Sequence, residues 1–152
     1  MSVERIFVSP VRGGAQRECG RIRLEIGEGI VGDHNFGKRA YPGQNITLVE
    51  AEEIERFCRE HGRAIDISMT RRNLVTRGVR LNELVGKTFT IGTAQLAGVE
   101  LCEPCASLGQ ALADESLSAA AVIRHWLGHG GLRANVVGAG EIGVGAGIEV
   151  DT

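Results

Sequence analysis

The stretch TFTIGTAQLAGVEL, residues 88–101, indicates the fold class of this chain. Its two halves, Thr88 to Ile91 and Gln95 to Leu101, are rich in residues that favour strands, and Gly92 with Thr93 supplies a turn between them. The stretch therefore predicts a β-hairpin. Segments of the same kind occur on both sides of it, so we expect a mainly β protein.

Strands are also predicted wherever apolar and polar residues alternate over several positions. These segments are Arg5 to Ser9, Arg21 to Ile26, Asn45 to Val49, Arg72 to Thr76, Leu132 to Val137 and Gly147 to Val150. Helices are predicted at Glu50 to His61, from near Cys105, and from about Leu117 to Leu127 with Ser116 as the candidate N-cap. This order predicts a small, partly closed β-barrel with a few inserted α-helices, formed by residues 1–152 as a single domain.

The composition is that of a soluble globular protein. Of the 152 residues 43% are hydrophobic and 24% charged, and the net charge at pH 7 is −2, which gives no electrostatic reason to expect a nucleic-acid or membrane partner. The N-terminus has no signal-peptide pattern, and no apolar run approaches the roughly 20 residues of a membrane helix. Four cysteines without a secretion signal predict free thiols and a cytoplasmic location.

Glycine is the unusual component, at 22 of 152 residues, against a usual share of about 7%. Because glycine allows sharp turns and close backbone approach, this content predicts short strands with tight connections, or backbone packed against a ligand. The segment 138–143, Gly-Ala-Gly-Glu-Ile-Gly, matches the dinucleotide-binding pattern GxGxxG. We reject that interpretation because no helix is predicted after it, and we expect a terminal hairpin there instead.

The hairpin runs directly into Cys102-Glu103-Pro104-Cys105, where a strand should end and a helix begin. A cysteine at a helix start is exposed to the positive end of the helix dipole, which favours the thiolate. Such a thiolate could bind a metal, carry sulfur or attack an electrophile. The alternative is that one or both cysteines are small buried residues without a chemical role.

A structural zinc site is a second interpretation of the two thiols. It needs about four ligands, and Cys19 and Cys58 are not spaced to complete it. His125 and His129 are four residues apart on the third predicted helix, so they could face one metal. We favour the simpler interpretation, in which they are ordinary polar positions near a helix end.

Two polar segments are candidates for ligand binding. The first is a loop with Gly32, Asp33, His34 and Lys38, in which the lysine could meet an anion and the aspartate could instead form an Asx turn. The second is the segment 71–73, Arg-Arg-Asn, which suits a phosphate or another oxyanion because guanidinium groups bind oxyanions with two hydrogen bonds.

Arg133 adds positive charge if the fold brings it close to the Arg-Arg-Asn segment. The alternative for all of these charges is an exposed, solvated edge that protects a strand from aggregation.

Taken in order, several segments resemble the MOSC domain, which is found at the C-terminus of molybdenum cofactor sulfurases. The matching segments are residues 29–34, 46–50, 71–78, 84–86, 102–105, 130–134 and 140–145. No single segment is specific, but their order and spacing together are. The resemblance covers nearly the whole chain and is to a single-domain form of the family.

The resemblance implies a β-barrel fold that binds the molybdenum cofactor (molybdopterin) or a related pterin. Cys105 would be the sulfur carrier, and Cys105 and Cys102 the metal-facing thiols. Arg71 and Asn73 correspond to the family's Arg-x-Asn pair and would hold cofactor phosphate or pterin edges. The cofactor-binding set is completed by Gly32, Asp33, His34, Lys38 and Arg133.

Two alternatives remain open within this resemblance. Some relatives reduce N-hydroxylated compounds at molybdenum through a cysteine just past the Asn-containing strand, where this chain has Val79, so that chemistry would need Cys102 or Cys105 instead. The other is a non-catalytic module that binds the cofactor or a partner. The expected partners are a sulfur-donor or an electron-donor protein, with pyridoxal phosphate involved only through such a separate protein.

Overall fold

A computed structural model describes residues 1–104 and 106–151. The strands are β1 Ser2–Val8, β2 Arg17–Cys19, β3 Arg21–Glu25, β4 Gly29–Ile30, β5 Ile46–Glu50, β6 Leu74–Arg77, β7 Thr88–Ile91, β8 Ala94–Leu101, β9 Leu132–Gly138, β10 Gly140–Gly143 and β11 Ile148–Val150. The helices are α1 Ala51–Glu60, α2 Ala106–Leu112 and α3 Ala119–Trp126, and short 3-10 turns form at Ile67–Thr70 and Leu81–Leu84.

Most strands belong to one mixed sheet with the order β11-β7-β8-β9-β5-β6-β1-β2, and β10-β3-β4 form a second, smaller sheet. Neighbours are antiparallel except for β5 and β6, which are parallel and are connected through α1. The large sheet is not closed into a barrel, since β11 and β2 are its edges. The start of β11 and the chain just before it nevertheless return to the N-terminal strand. The Gly145 amide donates to the Val3 carbonyl, and the Ile148 amide donates to the Met1 carbonyl.

The predicted mainly β fold with inserted helices is therefore confirmed, and the closure of the barrel is partial. None of the described helices is both long and apolar enough to cross a lipid bilayer.

Two hydrophobic clusters stabilise this arrangement. The larger lies within the curved sheets and includes Leu24, Leu48 and Leu96. The smaller lies between the opposite face of the large sheet and the helices, and it includes Phe57 and Trp126. Helix α1 contributes to the smaller cluster because its apolar residues recur at helical spacing, so that they form one buried stripe.

Two local predictions were wrong. The glycine-rich segment at the C-terminus does not form a terminal hairpin, because β10 pairs with β3 of the smaller sheet. Helix α3 is capped by Ser118, whose hydroxyl accepts the Ala121 amide at 3.2 Å, and not by Ser116. Ser116 instead belongs to a turn around Asp114, whose carboxylate accepts its amide and its hydroxyl.

Gly98 marks the place where β8 is crossed by the chain that follows the second 3-10 turn. Its carbonyl accepts the Gly86 amide and its amide donates to the Lys87 carbonyl, both at 2.9 Å. A Cβ atom at this position would overlap the carbonyl oxygen of Leu84, which is backbone and cannot rotate away. The close crossing therefore depends on the absence of a side chain.

We expect Gly98→Ala to lower the free energy of unfolding by about 2 kcal/mol or more, because the two backbone segments must separate. Urea denaturation followed by circular dichroism measures this change. Gly147→Ala is the matched control, since a Cβ there meets no atom within 4 Å. Equal stability of the two variants would contradict the argument.

Candidate functional site

A cavity of about 340 Å³ brings together most of the polar residues predicted to form a site. Its lining residues are Ser9, Gly13, Gln16, Asp33, His34, Asn35, Tyr41, Thr47, Arg71, Arg72, Asn73, Cys102, Ser107 and Arg133. We call it the basic cavity, because it contains three arginines. Its volume is at the lower end of the range of small-molecule sites.

The order of the strands explains why distant residues meet there. In the large sheet β9, β5, β6 and β1 are consecutive neighbours. Arg133 on β9 lies directly opposite Thr47 on β5, and Asn73, just before β6, lies beside Thr47. Ser9 follows the end of β1, and Cys102 follows the end of β8, which is the other neighbour of β9.

Asn73 holds the floor of the basic cavity together. Its side-chain oxygen accepts the amide and the hydroxyl of Thr47 at 3.0 and 3.2 Å, and its side-chain nitrogen donates to the Phe7 carbonyl at 3.1 Å. The side chain therefore links β5 to β1 across β6. The second N–H of the amide makes no hydrogen bond with the described residues.

Asp33 is buried and organises the loop that contains it. One carboxylate oxygen accepts the Ser9 amide at 2.9 Å and the other accepts the Asn35 amide at 3.1 Å. The second contact is the Asx turn that the sequence allowed. Because its two oxygens accept backbone N–H groups of Ser9 and Asn35, the Asp33 carboxylate fixes the loop against the end of β1.

The ring of His34 has a defined orientation. Its Nδ1 lies 2.9 Å from the Ser9 carbonyl oxygen, which can only accept, so Nδ1 carries a proton. In the neutral ring Nε2 is then the acceptor, and it makes no hydrogen bond with the described residues. This places a hydrogen-bond acceptor among the lining groups of the basic cavity.

Arg71 has an unusual backbone conformation, with φ 58° and ψ 26°. Among the described residues it is the only non-glycine residue with positive φ, a conformation that costs about 1 kcal/mol or more for a side chain of this kind. Its guanidinium donates to the Gly14 carbonyl at 2.8 Å and to the Ser9 hydroxyl at 2.9 Å. No carboxylate of the described residues lies within ion-pair distance of it.

Arg72 has a structural role. Its guanidinium donates to three backbone carbonyls, those of Thr70 at 3.1 Å, Gly130 at 2.9 Å and Cys102 at 3.3 Å. Arg72 therefore connects the chain just before β6 with two other places, Cys102 after the end of β8 and Gly130 before the start of β9.

Cys102 is a free thiol that lines the basic cavity, although only 3% of the residue is exposed. Its amide donates to the Gly131 carbonyl at 2.7 Å, and its carbonyl accepts from Arg72. The two peptide units that flank the Cys102 Cα atom are therefore both held in place.

Arg133 and Tyr41 form one wall of the basic cavity. The guanidinium lies over the Tyr41 ring at 5.1 Å from its centroid and donates to its hydroxyl at 3.2 Å. Glu100 approaches Arg133 at 3.8 Å. Gln16, also in the lining, has a buried side-chain oxygen without a hydrogen-bond partner in the part of the chain that the structure describes.

Two predicted residues lie elsewhere. Lys38 lines a neighbouring cleft of about 820 Å³, which shares Tyr41 with the basic cavity. Two consecutive turns separate Lys38 from the basic cavity. The Phe36 amide donates to the Asp33 carbonyl, and the Lys38 amide donates to the Asn35 carbonyl. Gly32 is exposed and outside the lining, and its φ of 92° shows that it shapes the turn before Asp33. Cys105 lies outside the described residues.

Sequence reasoning missed several lining residues. Ser9 and Thr47 carry no recognisable motif, and their contribution depends on strands that pair only in the folded chain. Gln16 gives no local signal either. Tyr41 had one available signal, since it is the only tyrosine in a chain poor in aromatic residues.

The pairing of His125 with His129, which the sequence allowed as one alternative, is not observed. His125 Nδ1 lies 3.3 Å from His61 Nε2, whereas His129 Nδ1 lies 3.6 Å from Glu53. The reason is that α3 ends at Trp126, so His129 does not follow His125 by one helical turn. Cys19, Cys58 and Cys102 are all free, and Cys19 and Cys58 do not line the basic cavity.

Comparisons with known proteins agree with the sequence resemblance. The family model of the MOSC domain matches residues 31–149. YuaD from Bacillus subtilis has the same fold, with a TM-score of 0.85 and 23% identity over 98% of this chain and 94% of that chain. No curated protein matches the sequence.

Two YiiM proteins also share the fold. YiiM from Geobacillus stearothermophilus has a TM-score of 0.74 and 16% identity, over 99% of this chain and 75% of that chain. YiiM from Escherichia coli has a TM-score of 0.71 and 20% identity, over 100% of this chain and 70% of that chain. At these identities the likeness shows the fold alone.

We expect Arg72→Lys to lower the free energy of unfolding by about 2 kcal/mol, because an ammonium group cannot reach three carbonyls in a planar fork. The Cys102 amide should also exchange with solvent faster, which hydrogen-exchange mass spectrometry measures. Arg124→Lys on the exposed side of α3 is the control and should change stability by less than about 0.5 kcal/mol. Unchanged exchange at Cys102 would show that Arg72 does not support the thiol segment.

Proposed function

We propose that this chain, which belongs to the MOSC domain family, binds a molybdenum cofactor or a related pterin in the basic cavity and carries or uses sulfur through a cysteine. The observation that carries the proposal is that Arg71, Arg133 and Cys102 line the same cavity. These groups come from segments far apart in the sequence, and the fold assembles them.

The charge of the basic cavity suits the phosphate end of such a cofactor. Arg71 has no carboxylate partner within the described residues, and the charge of Asp33 is directed at backbone amides. The three arginines of the lining outnumber its one carboxylate, so the electrostatic potential in the cavity is positive. The concave shape of a cavity strengthens such a potential. Guanidinium groups bind phosphate oxygens with charge-assisted hydrogen bonds, so Arg71 and Arg133 would hold this group.

The polar atoms of the lining suit the edge of a pterin ring, which has both donors and acceptors. Gln16 has a buried oxygen that needs a donor, and His34 Nε2 is a second acceptor. Asn73 keeps one N–H as a donor. A buried polar atom without a partner costs about 1–3 kcal/mol, so a ligand that pairs with Gln16 would recover that cost.

The thiols supply the sulfur chemistry in this proposal. A bound molybdenum cofactor supplies a redox-active metal, and a soft thiolate is a suitable ligand for such a metal. Cys102 lines the basic cavity and would face it. Cys105, three residues further along, is the proposed sulfur carrier, and a separate protein, itself the user of any pyridoxal phosphate, would donate the sulfur.

A second candidate function is the reduction of N-hydroxylated compounds with an electron-donor protein. The observation that favours it is that Cys102 lines the basic cavity. Val79, which stands where the reductases have their metal-binding cysteine, is instead buried in the larger hydrophobic cluster. Turnover of a hydroxylaminopurine by reconstituted protein with a chemical reductant distinguishes this function from sulfur transfer.

We expect protein purified from a cofactor-producing host to contain a pterin and molybdenum, detected by mass spectrometry and metal analysis. Arg71→Ala and Arg133→Ala should each lower the occupancy about tenfold or more, because each removes charge-assisted hydrogen bonds. Arg124→Ala, which removes an exposed arginine outside the basic cavity, is the control. Equal occupancy in all variants would contradict binding in the basic cavity.

We expect Cys105→Ala to keep the fold and to abolish sulfur transfer, measured as loss of the persulfide form of the protein in intact mass spectra after incubation with a persulfide donor. The outer sulfur of such a donor passes to the Cys105 thiolate while the donor's own thiolate leaves. Cys102→Ala should retain the persulfide on Cys105 but weaken metal retention. Cys19→Ala is the control, since Cys19 lies on β2 away from the basic cavity. Undiminished transfer in Cys105→Ala would remove Cys105 from the mechanism. Cofactor binding that survives loss of both Cys102 and Cys105 would indicate a non-catalytic binding module.

A further inference from the structure

A second cluster of metal-ligating groups lies on the helical layer, outside the basic cavity. Glu60 at the end of α1, His61 just after it and His125 on α3 each offer one ligand atom, and these atoms lie within 4.8 Å of one another. We propose that they bind a divalent transition-metal ion, with Zn²⁺ as the preferred ion. The bound ion would link the end of α1 to α3. This proposal does not depend on the proposed function.

The distances in the cluster agree with a tetrahedral ion. With bonds of about 2.05 Å to nitrogen or oxygen, two ligand atoms of a tetrahedral zinc site are about 3.3 Å apart. His125 Nδ1 is 3.3 Å from His61 Nε2 and 3.3 Å from Glu60 Oε2. The remaining separation, up to 4.8 Å, involves Glu60, whose side chain is 49% exposed and has room to adjust.

Hydrogen bonding alone does not account for all of these contacts. The Nδ1 atom of His125 can either donate to Glu60 or accept from His61, but it cannot do both. A metal ion instead accepts the lone pairs of all three groups.

The charge around the cluster permits a cation. Arg56 lies nearest, 3.4 Å from the second oxygen of Glu60, and it also contacts the His125 carbonyl. Its charge is offset by Glu53 at 2.9 Å, so Glu53 and Glu60 together leave a local excess of negative charge. Glu53 also approaches His129, which is not one of the three ligands.

Packing holds the His125 ring in place. Its side chain is 6% exposed, and its centroid is 5.0 Å from that of Phe57 and 5.7 Å from that of Trp126. The Nε2 atom makes no hydrogen bond with the described residues. A ligand histidine without such a second bond binds a metal about 10- to 100-fold more weakly, so we expect a site of moderate affinity with a fourth position open to water.

The test is a titration of the reduced protein with Zn²⁺. Isothermal titration calorimetry measures the binding, and thermal melting measures its effect on stability. We expect a single equivalent to bind and to raise the melting temperature. His61→Gln and Glu60→Gln should each weaken binding about tenfold or more. His129→Gln, on the same surface but outside the cluster, is the matched control and should bind as the parent protein does.

A second probe separates this cluster from the thiols. Co²⁺ bound by imidazole and carboxylate gives visible bands without the near-ultraviolet thiolate charge transfer that a cysteine ligand would produce. The proposal is supported if Co²⁺ binding lacks that charge transfer and is lost in His61→Gln. It is overturned if neither metal binds, if the charge transfer appears, or if His61→Gln and His129→Gln bind alike.

Discussion

The side-chain amide of Asn73 is the contact on which the basic cavity depends. It joins β5 to β1 across β6 through bonds to Thr47 and to the Phe7 carbonyl. The register that it holds places Thr47 opposite Arg133, and it places Arg71 beside the end of β1. An apolar residue at position 73 would leave the Thr47 hydroxyl and amide and the Phe7 carbonyl without these partners, so the floor of the cavity would lose its bridge between β5 and β1.

Charged residues in and around the basic cavity divide into two groups. Asp33 and Arg72 satisfy backbone amides and carbonyls, and their charges therefore stabilise loops that would otherwise have unpaired polar groups. Arg71 and Arg133 retain guanidinium N–H groups near an open volume. The strained backbone of Arg71 is consistent with this division, since such conformations persist where the surrounding structure enforces them and they cluster at ligand sites.

Local patterns predicted the elements better than they predicted the site. The hairpin of residues 88–101 and helix α1 have clear periodicity, and they form where expected. That Arg71 and Arg133 line one cavity depends on the strand order β9-β5-β6, which no local pattern contains, so the sequence offered their convergence only as a condition on the fold. Lys38 was expected with Asp33 and His34 but lines the neighbouring cleft, because the turns within the loop determine which cavity each side chain of the loop lines. His61 was missed because helical spacing suggested His129, whereas α3 ends before that residue.

The helical layer and the basic cavity are physically connected through the segment that follows α3. The Gly130 carbonyl accepts from Arg72, and the Gly131 carbonyl accepts the Cys102 amide. Both glycines are required by crowding, because a Cβ at Gly130 would overlap the Cys102 carbonyl and one at Gly131 would overlap the Leu48 carbonyl. The segment that follows α3 therefore packs closely against the backbone of Cys102 and of β5. The enrichment in glycine thus has a specific physical role here, since it lets three backbone segments converge beside the basic cavity.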